Sequence, residues 1–232
     1  MCGAAGAPRR KRQVEEAEAA TAMSIGCRSS GNAVIQWRGR RLDLMAEQLY
    51  LSYWLRDFSG QTMLREFGRL LASFPFSTMA PCARVLRVYA LRFAEPALAE
   101  HIVALEAEVS EIVDAARGYR NSDLCYLLEA HWDLWQYDSG WRLKPSPVTL
   151  ACFGPDFDND LGDHLRVEPG LDTHFLPRED LPEGAAKVQS NIRGLLRLAH
   201  ELDQALPVEK RRLWSESGES FAERLQAALD RR

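Results

Sequence analysis

Hydrophobic and polar positions alternate most cleanly in DLCYLLEAHWDLWQ, residues 123–136. Leu124, Tyr126, Leu128, Ala130, Trp132 and Leu134 are apolar at every second position, which predicts a long strand with that row buried. The opposite row holds Cys125, Leu127, Glu129, His131, Asp133 and Trp135. YDSG then supplies turn chemistry, and WRLKPSPVTLACF returns as a partner strand. Its Pro145 and Pro147 need positions where a missing N–H faces outward. A two-residue tip at Asp138 and Ser139 sets Asp133 opposite Lys144 and Trp135 opposite Arg142, with paired Cα atoms about 4.5–5.5 Å apart. In that register Arg142 and Lys144 share one polar face with Glu129, His131, Asp133 and Trp135.

Other segments follow a period near 3.6. RLDLMAEQLYLSYWLRDF, residues 41–58, sets Leu44, Leu51, Leu55 and Phe58 near one face and predicts a helix. QTMLREFGRLLASF repeats the pattern with Met63, Leu64, Phe67, Leu70, Leu71 and Phe74, predicting a second. ARVLRVYALRF reads as a strand. AEPALAEHIVALEAEVSEIVDAARGY reads as helix, with Pro96 in a first turn and room for a break. HLRVE is a short strand, and 185–206 is a helix ended by Pro207. The last helix lies in SESGESFAERLQAALDRR, where Phe221, Leu225 and Leu229 recur every fourth position. The expected class is α+β: a small, mainly antiparallel sheet with helices on one face, two N-terminal and two C-terminal.

Residues 1–32 sustain no hydrophobic period and are expected to be a disordered extension ahead of a single α+β domain at 33–232. Charge sharpens the division. The first forty residues carry seven Arg/Lys against three Glu, and the rest carries 22 against 30, within a net charge of −4. An acidic body argues against nucleic acid as the partner, because phosphate binding needs a basic patch. No apolar run reaches the roughly 18–20 residues of a membrane span. Five scattered cysteines without a C-x-x-C give neither a zinc knuckle nor a disulfide framework, so a reducing cytoplasm is the expected compartment.

Two constellations carry candidate chemistry. FGPDFDNDLGDHLRVE spaces Asp156, Asp158 and Asp160 two apart, as a calcium loop does. Its sixth position is Leu161 and its twelfth Val167, however, so the turn Gly and the bidentate Glu both fall one place late. The stretch therefore reads as a solvated turn, and a divalent metal held by Asp156, Asp158 and His164 is the alternative. The row Glu129, His131 and Asp133 can orient an imidazole for acid–base work, or simply form the wet side of a sheet. No nucleophile elbow, H-E-x-x-H or phosphate loop occurs. The expected function is non-catalytic binding of a protein or small ligand through the face Glu129, His131, Asp133, Trp135, Arg142 and Lys144. A metal-dependent hydrolase or transferase, with Glu129, His131 and Asp133 as its catalytic row, is the rival. It requires Asp156, Asp158, Glu129 and His131 to converge in one pocket.

Overall fold

The computed structural model describes residues 46–80, 82–176 and 184–230. The expectations for residues 1–32 fall outside them.

The segment read as a first helix is a strand, β1 (Gln48–Leu55). Its Leu49, Leu51, Tyr53 and Leu55 are buried at alternate positions. Tyr50 and Trp54 occupy the opposite face, so apolar residues lie on both sides and mimic a helical stripe. The next helix is as expected, α1 (Met63–Ser73), with Met63, Phe67, Leu70 and Leu71 buried. β2 (Arg84–Ala90) follows. The long helix read after it is divided into a strand, β3 (Ala99–Val103), and a shorter helix, α2 (Val109–Arg117). A capping box starts α2, in which the Glu108 and Glu111 side chains reciprocally accept backbone N–H groups.

β4 (Leu124–Tyr137) and β5 (Trp141–Phe153) form the expected hairpin, and β6 (Leu165–Leu171) follows. The 21-residue α3 (Ala185–Ala205) leads into β7 (Val208–Ser215) and then α4 (Phe221–Asp230). Sequence periodicity does not reveal β7. Half of VEKRRLWS is charged, as suits a sheet edge, where charges discourage pairing with other chains.

The strands make one antiparallel sheet in the order β3-β2-β4-β5-β6-β1-β7. Among the described residues seven strands exceed the small sheet expected, while the α+β class and the number of helices, four, agree. The helices cover one face. Phe67 and Leu70 of α1, Ile112 of α2, Ile192 and Leu195 of α3, and Phe221 of α4 join Leu51, Tyr126, Leu128 and Leu150 in one core. A smaller apolar cluster of Cys125, Ala151, Phe153 and Phe157 lies on the other face.

The β4–β5 register differs from the expected one by one residue. Tyr137 pairs with Trp141, so the tip holds three residues, Asp138–Gly140, instead of two. Asp133 then faces Pro145, and Lys144 faces Leu134. The gain is on the buried side, where Trp132, Ala130 and Leu128 meet Ser146, Val148 and Leu150, all buried. The two prolines are accommodated as required. His131 sends its carbonyl to the Ser77 N–H, away from β5, so its partner Pro147 turns its missing donor away from β4.

Candidate functional site

The face singled out from the sequence is only partly assembled. Arg142 and Lys144 pair with Gln136 and Leu134, which puts them on the opposite side from Glu129, His131, Asp133 and Trp135. Those four do share a face, but three have internal partners. Glu129 takes an ion pair from Arg87, which also holds Glu100, so one guanidinium links β3, β2 and β4. Asp133 accepts from the Ser77 hydroxyl and the Thr78 N–H, fastening the loop after α1 to β4. The Trp135 ring receives the Lys187 ammonium 3.5 Å from its centroid. The fourth, His131, has a buried Nδ1 without a hydrogen-bond partner among the described residues. Burial lowers its pKa, and the Asp133 charge opposes that shift in part.

The acidic stretch is a structural loop. Asp156 accepts from the Ser122 hydroxyl, and its own N–H bonds the Ser122 carbonyl at 2.8 Å. The Asp158 N–H reaches the Leu91 carbonyl, and the Asn159 Oδ1 accepts from the N–H groups of Leu161 and Gly162. Asp163 is buried and grips Arg166 through both carboxylate oxygens. His164 is likewise engaged: its Nδ1 accepts the Leu55 N–H at 2.9 Å and its ring stacks on Phe58. The Asp156 carboxylate and the His164 ring are therefore directed to different hydroxyl and backbone partners, and Asp158 is tied to Leu91 through its own N–H. Among the described residues, no three His, Cys, Asp or Glu side chains are gathered closely enough to hold a metal ion. Cys125 is fully buried, and burial pushes its pKa well up, which leaves it a protonated packing residue.

A large cleft lies elsewhere, with a volume of about 1080 Å³ between the start of α1 and the end of α2. Ser59, Gly60, Gln61, Leu64 and Arg65 form one wall, and Val113, Arg117, Arg120, Asn121 and Ser122 the other. Close packing brings these walls together. A Cβ on Gly68 would stand 3.2 Å from Val113 Cγ2, so α1 and α2 touch one turn below the opening. At the other end, a Cβ on Gly60 would lie 3.2 Å from the Ser122 Cβ.

The 119–122 wall is fixed in place. The Tyr126 hydroxyl donates to the Tyr119 carbonyl, and Asp156 holds Ser122 as described above. Gly154 passes so close that a Cβ there would fall 2.2 Å from the Ser122 carbonyl oxygen. The acidic loop thus shapes one side of the cleft without lining it.

Three guanidinium groups and no carboxylate line the cleft. Arg65 is paired with Glu66, a carboxylate buried to 1% exposure that also takes Arg69. Arg117 pairs with Asp114 in the last turn of α2. Arg120 makes no ion pair among the described residues, and the Gln61 and Asn121 carboxamides make no side-chain hydrogen bond there. The wall therefore presents one unengaged cation, two charge-compensated ones and two unengaged amides. Sequence reading missed all five residues, because they lie on two separate segments and match no motif. The one available signal was the pair Arg117 and Arg120, three positions apart around a helix exit at Gly118.

No described helix is long and apolar enough to cross a membrane. Comparison with known proteins finds no family, no curated protein and no solved structure that matches this chain, so the cleft geometry is the basis for a functional reading.

Proposed function

We propose that this protein binds a small anionic ligand in the α1–α2 cleft and does no chemistry of its own. The observation that carries the reading is a cavity lined by Arg65, Arg117 and Arg120 and by no Asp or Glu. Guanidinium groups donate in a planar fork that matches carboxylate and phosphate oxygens, and a concave wall increases their effect by excluding water. The volume is of ligand size, at the upper end of the usual few hundred to roughly 1,000 Å³. The exposed sheet face is a poorer candidate, since Glu129, Asp133 and Trp135 are already bound within the chain. A hydrolase or transferase would need Asp156, Asp158, Glu129 and His131 around one ion, but among the described residues no three such side chains gather closely enough to hold one, and Asp156 and Glu129 are engaged by Ser122 and Arg87. On this reading the protein works in a reducing cytoplasm, which suits cysteines such as Cys125 and Cys152 that form no disulfide.

Thermal melting of the full chain against inorganic phosphate and pyrophosphate tests the proposal. Saturating ligand at about a hundred times its Kd stabilises by about 2.7 kcal/mol, which raises Tm by roughly 5–10 °C for a domain of this size. The rise should saturate and shrink with added sodium chloride. Arg120→Glu should abolish it. No rise at millimolar anion, or the same rise in the variant, would refute the reading.

A further inference from the structure

The composition of the cleft wall also narrows the ligand class. We infer, on the basis of the anion-binding reading above, that the ligand is a phosphorylated polyol of the sugar phosphate type and not a nucleotide. Ten residues line the cavity and none is aromatic. A nucleotide base is normally held by stacking on an aromatic ring or by a dry apolar slot, and each stacked base is worth a large part of the binding energy. Here the apolar contribution is Leu64 and Val113 alone.

The remaining groups suit hydroxyls. Gln61 and Asn121 each offer an amide that can donate and accept at once, and both are exposed without side-chain hydrogen bonds among the described residues. Ser59 adds a hydroxyl already in contact with Thr62 Oγ1 at 3.4 Å. A polyol needs such paired donor and acceptor groups, because every hydroxyl stripped of water must be matched on both counts.

The charges are unequal in a way that gives the ligand a direction. Arg65 and Arg117 already share their charge with Glu66 and Asp114, whereas Arg120 has no acid partner among the described residues. The phosphoryl group belongs at Arg120, with Arg117 three positions before it on the same wall. Asn121 follows Arg120 directly, which places an amide where the first carbons of the ligand would lie. Ser122 closes that wall with its hydroxyl hydrogen already given to Asp156, so it offers only acceptor capacity.

Calorimetric titration of the full chain with four probes decides the matter: inorganic phosphate, glucose, glucose 6-phosphate and AMP. Glucose 6-phosphate should bind about tenfold or more tighter than inorganic phosphate, glucose alone should show no measurable binding, and AMP should bind no tighter than inorganic phosphate. Arg120→Gln should weaken glucose 6-phosphate and inorganic phosphate alike, by about tenfold. Asn121→Ala should reduce glucose 6-phosphate toward the affinity of inorganic phosphate and leave inorganic phosphate unchanged. Both residues are exposed, and far-UV circular dichroism checks that the variants are folded. If AMP binds as tightly as glucose 6-phosphate, or glucose 6-phosphate no tighter than inorganic phosphate, the ligand class is wrong while the anion site stands. If no phosphate-bearing probe binds, both the class and the anion site are wrong.

Discussion

Replacing Asn191 tests how α3 is joined to the sheet. β2 ends before β4 does, and beyond that end the edge of β4 would be bare. The Asn191 side chain takes the place of a neighbouring strand: its Oδ1 accepts the Trp135 N–H at 2.9 Å and its Nδ2 donates to the Trp135 carbonyl at 2.9 Å. The same Nδ2 reaches the His174 carbonyl at 2.8 Å. Asn191 is 3% exposed, so water cannot readily replace it. Asn191→Ala removes three hydrogen bonds worth about 1 kcal/mol each and leaves backbone groups unpaired, for a loss of about 3–4 kcal/mol. That corresponds to a fall in Tm of roughly 6–16 °C. Urea unfolding read by tryptophan fluorescence measures it.

Asn191→Asp sharpens the test. The carboxylate keeps the acceptor for the Trp135 N–H but faces two carbonyl oxygens, and only its protonated form can donate to one of them. Its folded pKa is therefore raised above the unfolded value of about 3.9. The stabilising contribution of the protonated form is fully present below that value and is lost as pH rises through the folded pKa. Measured against the wild type, the Asp variant should thus be least impaired near pH 4 and worse toward neutrality. A loss under about 1 kcal/mol for Asn191→Ala, or a pH-independent deficit for Asn191→Asp, would refute this account of the junction.

Other outcomes follow from close packing and from buried imidazoles. Gly154→Ala should destabilise by about 1–3 kcal/mol or more, because its Cβ would meet the Ser122 carbonyl oxygen at 2.2 Å, whereas Gly118→Ala, with nothing within 4 Å, should stay within about 0.5 kcal/mol in the same denaturation assay. His131, His164 and His174 all have pKa values lowered from 6.5, burial being the largest cause in each. The unfolded chain therefore binds more protons below pH 6.5, and stability should be intact above that pH and decline as pH falls through the depressed folded values. His164→Asn keeps an acceptor for the Leu55 N–H without a titrating ring, so it should reduce that slope in melts recorded between pH 7.5 and 5.5. An unchanged slope would remove His164 from the explanation.

The β4–β5 hairpin could be read in the sequence because, away from the cluster of Cys125, Ala151 and Phe153, only one of its faces is buried, which makes period-2 alternation conspicuous. α1 and α3 were legible for the matching reason at period 3.6. β1 was not, since it lies between β6 and β7 with Tyr50 and Trp54 on one face and Leu49, Leu51 and Tyr53 on the other. β7 was hidden by Lys210, Arg211 and Arg212, which suit an edge but no hydrophobic period. The hairpin register depended on a single tip residue, and Gly140 made a three-residue loop possible where two were expected. Most of the polar face was correctly grouped, yet its residues serve cohesion, as the Arg87 link and the Ser77–Asp133 contact demonstrate. The cleft escaped notice because its arginines and amides come from separate segments, and only the packing of Gly68 on Val113 and of Gly60 on Ser122 brings them together.

Backbone amide shifts of the isotope-labelled full chain, recorded during a titration with glucose 6-phosphate, test most directly whether the cleft is the binding site. The account predicts saturable shifts concentrated at residues 59–65 and 113–122, with the outer sheet face at Glu129, His131 and Trp135 unmoved. Shifts concentrated on that sheet face, or no saturable shift at millimolar ligand, would contradict it.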